Sequence, residues 1–237
     1  WQLAQEMLAE QPRHGRRVAA ALHLVLAGEE ARGADIIAEA GRAYLRDASA
    51  YDSTKVVVRA LEQALAIYDR LGRPQAELLG VLHPLVTLGY YVDFRLVRDH
   101  GERGLAIGLE VTGLARAMQL SRFVGNKLAL AIALGTAALK FRRVQREGFR
   151  YGLRDALMGT GVLVPGLVGF GAVTADLEML ERVRELLAPL RLLGNPVLYG
   201  FVEINRWLVA GHVHKVDETA AELARQCRSP ELVARIG

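Results

Sequence analysis

The chain has 237 residues, 30 Lys and Arg against 26 Asp and Glu, a formal charge of +4 and 51% apolar residues. This composition excludes intrinsic disorder, the single cysteine excludes a disulfide-stapled scaffold, and so small a net charge does not by itself require nucleic acid or an anionic membrane as partner. A chain of this length buries roughly 70 to 75% of its unfolded surface, enough for one long core or two small ones.

With 38 Leu and 34 Ala against 6 Phe, 7 Tyr and 7 Pro, the usage is that of helices packed on helices. Only Lys55, Lys127, Lys140 and Lys215 are lysines among the 30 basic residues, an arginine bias read first as genomic base composition. In chain order, Val25-Leu26-Ala27-Gly28 is the first helix stop. The clearest helix follows Asp52, Ser53 and Thr54: Val58, Leu61, Leu65 and Tyr68 fall at steps of three and four, while Arg59, Glu62, Asp69 and Arg70 take other faces. Leu71-Gly72-Arg73-Pro74 ends it, since Gly accepts the left-handed cap and Pro suits the first turn of the next helix, expected from about Gln75 to Tyr91. The run Leu128 to Leu139 is apolar all round and predicts a central helix covered on several sides.

From Ala156 to Ala175 no residue is charged. The stretch is long enough to span a membrane, but Pro165 and five glycines favour a buried helix, glycine turn and helix. Thr174 is the expected N-cap of a helix with Leu177, Leu180, Val183 and Leu187 on one face and a Glu178–Arg182 pair outside, ending near Pro189. The last strong helix carries Val216, Ala220, Leu223 and Cys227 on one face, with Asp217 and Glu218 expected in its first turn and Cys227 expected buried and slow to react. Similar stops are expected at Leu88-Gly89, Leu134-Gly135, Leu193-Gly194 and Ala210-Gly211. Placing Leu208-Val209-Ala210-Gly211 over Val25-Leu26-Ala27-Gly28 aligns Ala221-Glu222 with Ala38-Glu39, a degenerate internal repeat without a fixed period.

Gly28, Ala40 and Tyr44, and again Gly89, Gly101 and Leu105, follow the spacing that resembles a tetratricopeptide repeat. The resemblance covers about half the chain; Glu147 and Leu223 stand at the small position after Gly135 and Gly211, and the family's Trp and closing Pro are mostly missing. Leu22 to Glu30 leading into Gly33-Ala34 is similar to the helical arms that follow the ATPase module in large bacterial signalling ATPases, kinases and transcription activators. That resemblance implies a regulatory arm that receives a partner or inducer, with the nucleotide chemistry elsewhere. The start at Trp1, and Glu231 to Ile236 reading as the beginning of another helix, are expected of a fragment of a longer chain. The absence of a secretory opening and the lone Cys227 predict a cytoplasmic protein.

No catalytic residue, cofactor or metal site is expected. Gly166-Leu-Val-Gly169-Phe-Gly171 lacks the Lys that a phosphate loop needs. His212 and His214 lie two apart at a turn, where a helix would point them to different faces. Ser121 and Ser229 have no nucleophile-elbow setting. The functional lead is the basic stretch Lys140 to Arg154, offset only by Glu147. On one helix Arg143, Arg146, Arg150 and Arg154 would form a continuous charged row opposite Phe141, Val144, Gly148 and Tyr151. The row is either a solvated face with snorkelling stems or a partner-binding surface.

The sequence therefore predicts an all-α protein. One domain over 1–237 would stack antiparallel helical hairpins as a degenerate tetratricopeptide-like solenoid and act as a non-catalytic protein-interaction or ligand-sensing arm of a larger bacterial regulator. A protein partner or a neighbouring domain of the same polypeptide is expected, with self-association through open ends a further route; nucleic acid and membrane are not expected. The alternative is a module that binds nucleic acid or a phosphorylated protein through the 140–154 arginine row.

Overall fold

A computed structural model describes Gln2, Gln5 and residues 14–46, 54–146, 151–192 and 196–227. These residues form eleven α-helices and no strand, the all-α class that the Leu and Ala usage implies. Two compact units occupy the span that the sequence suggests is one domain. The first comprises Trp1–Gly108 with Arg143–Leu163, the second Leu109–Arg142 with Val164–Gly237.

In the first unit, α1 (His14–Leu26), α2 (Glu30–Arg46), α3 (Thr54–Arg70) and α4 (Gln75–Val92) precede α5 (Phe94–Val111). Helix α1 packs on α2, α2 on α3 and α3 on α4, and α1 also touches α3 and α2 touches α4. The predicted row Val58, Leu61, Leu65 and Tyr68 is buried, because its three-and-four spacing gathers it on one face of α3. Gly28 and Gly72 end α1 and α3 at φ of +89° and +62°, as expected. At Gly72 the amide of Arg73 reaches back to the carbonyl of Tyr68 at 3.0 Å and that of Gly72 to Asp69 at 3.2 Å, so the last carbonyls are satisfied. Leu88-Gly89 is a correction: Gly89 lies inside α4, against the side chain of Leu96, and marks close packing instead of a stop.

Several polar groups inside this unit are paired. The Tyr68 hydroxyl donates to Asp35 Oδ1 at 2.7 Å, and burial followed by this bond pushes its pKa up. Arg73 reaches Asp35 at 3.3 Å and the buried Glu77 at 3.3 Å. Arg42 donates to the Gly80 carbonyl at 3.2 Å and lies over the Tyr151 ring at 5.4 Å.

The second unit holds α6 (Leu114–Val124), the body of α7 (Asn126–Arg146), the end of α8 (Leu153–Val173), α9 (Leu177–Leu192), α10 (Pro196–Val209) and α11 (Val213–Cys227). Here α6 packs on α9, α9 on α10 and α10 on α11. Gly211, at φ +75°, turns α10 into α11 as predicted, while Leu193-Gly194 falls outside the described residues. On α9, Leu180, Val183 and Leu187 are buried and Arg182 bonds Glu178 at 2.6 Å, as expected, whereas Leu177, predicted on the same face, is 39% exposed at the first turn.

Four readings are corrected here. Asp176 caps α9, accepting from the Met179 amide at 2.9 Å, whereas Thr174 bonds back to Phe170 in the preceding turn. Helix α11 starts at Val213, four residues before Asp217, so its first turn has no acid. Ala220 is exposed, although Val216 and Leu223 are partly covered; the Cys227 side chain lies outside the described residues. Finally, 156–173 is not a helix, turn and helix: α8 runs unbroken through Pro165 and its glycines, and the turn comes only at Thr174-Ala175. By length and composition α8 is the one described helix apolar enough to cross a membrane, with mean hydropathy 1.8 and half of that window buried.

Candidate interaction surface

Helix α7 reads NKLALAIALGTAALKFRRVQR, rich in the strongest helix formers and without a carboxylate. In the second unit its packed face is Ala129, Ala133 and Ala137, a stripe of methyl groups at four-residue spacing. The reason is on the facing turn. Gly113 sits in a left-handed conformation at φ +74°, and a Cβ there would come 2.4 Å from the Ala133 carbonyl oxygen. With backbone lying on backbone, only methyl groups fit beneath.

The large residues consequently face outward. Leu128 is 54% exposed, Ile132 40% and Leu139 69%, and Gly135 between them has no heavy atom within 4 Å of where its Cβ would stand. This corrects the prediction of a helix covered on several sides, and it corrects the Leu134-Gly135 stop, since Gly135 lies in mid-helix. A hydrophobic residue on every face gives no moment from which a sequence could tell which face is packed. The signal that could have told is the Ala129, Ala133, Ala137 spacing itself, small residues in register opposite Leu and Ile.

The charged row is distributed differently from its prediction. Arg143 and Arg146 are exposed on the last turn of α7; Arg154 is exposed at the start of α8; Arg150 falls outside the described residues. Tyr151 and Gly152 are not helical, so no single helix carries the row. Phe141, Val144 and Tyr151 are buried, as the opposite row was expected to be, while Gly148 falls outside the described residues. Arg143, Arg146 and Arg154 make no ion pair among the described residues, whereas Lys140 stands 4.0 Å from Glu110. Beside α7, a groove of about 270 Å³ is floored by Gly113, Ala133 and Ala137 and rimmed by Glu110, Arg116, Gln119 and Lys140.

A second groove, of about 440 Å³, runs between α10 and α11 over Tyr199, Trp207 and Leu223. Its arginine is already held by carboxylates and an aromatic ring. Arg206 reaches Glu181 and Glu203, both at 2.9 Å, and its guanidinium lies 3.5 Å from the Trp207 ring centroid, with Lys215 4.0 Å from the same ring. The rings of His212 and His214 stand 6.0 Å apart, edge to face, and His212 meets Trp207 in the same way at 5.6 Å. Among the described residues no three His, Cys, Asp or Glu side chains gather as metal ligands. Gly166 to Gly171 lie within α8, and the Ser121 hydroxyl bonds the Met118 carbonyl at 2.8 Å.

Compared with known protein families, curated proteins and solved structures, the chain matches none.

Proposed function

We propose that this chain is a non-catalytic binding arm, a run of helical hairpins that presents an exposed helix to a protein partner as part of a larger regulator. The observation that carries the reading is the orientation of α7, with alanines packed inward and Leu128, Ile132 and Leu139 in solvent. Exposed apolar side chains grouped on one element mark an interaction site more often than scattered ones do. The packing of α1 to α4, each on the next and the next but one, supports a stack of hairpins of the kind that forms binding surfaces.

The test is a photo-crosslinking residue placed at Ile132 in the full chain in its native cell, with the exposed Glu62 on α3 as the control position. The reading expects discrete protein adducts at 132 that are absent at 62 and that vanish when Leu128 and Leu139 are changed to Ser. Equal labelling at both positions would remove it.

A further inference from the structure

The outward row of α7 has a spacing that its apolar character alone does not explain. Positions 128, 132, 135, 139 and 142 alternate steps of four and three, the 3.5-residue average of a helix that pairs with another helix. In that register Ile132 and Leu139 take one seam position and Leu128, Gly135 and Arg142 the other. Gly135 is a notch at the middle of the seam, open because nothing in the fold occupies the space above it. Arg142 closes the seam at one end and is exposed.

Charge decides what lies on it. Between Asn126 and Arg142 the helix carries Lys127, Lys140 and Arg142 and no acid. A second copy aligned parallel would set Arg142 on Arg142, and one aligned antiparallel would set Lys127 by Arg142 at both ends, so either pairing stacks like charges. A lipid surface would meet a guanidinium on the centre line of the apolar row, where an interfacial helix keeps its cations on the flanks. A helix bearing a carboxylate opposite Arg142 satisfies both features.

Resting on the binding-arm reading above, the geometry points to one acidic amphipathic helix of a partner protein, docked along Leu128, Ile132, Gly135 and Leu139 with a large apolar side chain seated over Gly135 and a carboxylate on Arg142. Recognition is of the helix-against-helix kind, with anchors at seam spacing and charge setting the orientation.

The test uses the full chain and a displayed library of amphipathic helices in which the apolar seam is kept and the flanking positions vary among Glu, Lys and Gln. Recovered helices should carry Glu at the end that meets Arg142. They should bind Arg142→Glu at least about tenfold more weakly, and that variant should select Lys in their place. Gly135→Leu should abolish binding by filling the notch while leaving the melting temperature unchanged or higher, because its side chain meets nothing in the fold. Helices that are lost with Gly135→Leu but carry no acid overturn the charge assignment and leave the binding arm standing. No helix sensitive to Gly135→Leu overturns the seam, and with unselective crosslinking at Ile132 the binding arm falls too. Dimerisation abolished by Gly135→Leu would assign the seam to a second copy. Co-sedimentation with phosphatidylserine vesicles that depends on Leu139 would assign it to lipid.

Discussion

Gly159 leaves the space that the His83 imidazole fills: a Cβ at Gly159 would come 2.8 Å from His83 Nδ1 and 2.8 Å from the Tyr151 hydroxyl. Burial holds the His83 pKa down at about 4, with Arg42 lowering it further and Asp155 opposing. The unfolded chain takes up this proton near pH 6.5 and the folded chain near 4, so the unfolded state binds more protons between those values. His83 therefore contributes full stability above about pH 6.5, and that contribution is lost as pH falls towards 4, with about 2 kcal/mol gone by pH 5. Urea titrations from pH 7.5 to 4.5 should show the slope, and His83→Gln should flatten it relative to the unaltered chain.

Ala175 closes the turn between α8 and α9 at φ +54°, a left-handed conformation, with the Asp176 amide bonded to the Gly171 carbonyl at 2.8 Å. The same role falls to glycine at positions 28, 72 and 211. Ala175→Gly removes the Cβ strain and should stabilise the chain by about 1 kcal/mol, raising the melting temperature by about 2–4 °C. An unchanged or lower melting temperature would contradict the turn geometry.

Arg206 is 13% exposed and serves two carboxylates, Glu181 and Glu203, while stacking on Trp207. Arg184 also reaches Glu181 at 2.7 Å and Glu203 at 3.7 Å, so losing Arg206 leaves each carboxylate with one cation in place of two. Arg206→Met should cost about 1–2 kcal/mol in denaturant unfolding, less than for a carboxylate left with no cation, and Arg206→Lys should recover only part of it, since one ammonium does not span both carboxylates as the guanidinium fork does.

Arg143 and Arg146, exposed and without an ion pair among the described residues, should contribute little to stability. The double change to Gln is expected to shift unfolding by less than about 1 kcal/mol. If these side chains hold an anionic partner, the same change should weaken that partner and reduce the dependence of its affinity on salt. A large fall in melting temperature would assign the stems to packing instead.

What the sequence made legible follows from how local each determinant is. The α3 row and the limits of α4 were readable because spacing, Gly72 and Pro74 all lie within a few residues of the element they define. Leu71-Gly72 and Leu134-Gly135 are the same dipeptide, yet only the first is a turn: Arg73-Pro74 follows one and Thr136-Ala137-Ala138, good helix continuation, follows the other. The facing of α7 had only the Ala129, Ala133, Ala137 spacing to announce it, since it is set by Gly113 lying against Ala133, a contact between residues twenty apart. The arginine row failed as one helix for a similar reason. Its three-and-four spacing holds on both sides of Tyr151-Gly152, and periodicity carries no information about the break between them.

The first unit is discontinuous along the chain, taking residues 143–163 as well as 1–108. Its α1 to α4 contacts join near neighbours in sequence and form quickly, at little loop-closure cost. Its core is finished differently: Leu163 fills the space at Gly104 beside Leu82, and Tyr151 lies under Arg42. During synthesis, then, the hairpins assemble first around an unfilled seam, and this unit becomes cooperative only when residue 163 has left the ribosome. At translation rates of about 5–20 residues per second, the interval between residues 108 and 163 is several seconds of exposed apolar surface. Truncation before Tyr151 should reproduce that state as a helical, weakly cooperative and aggregation-prone protein.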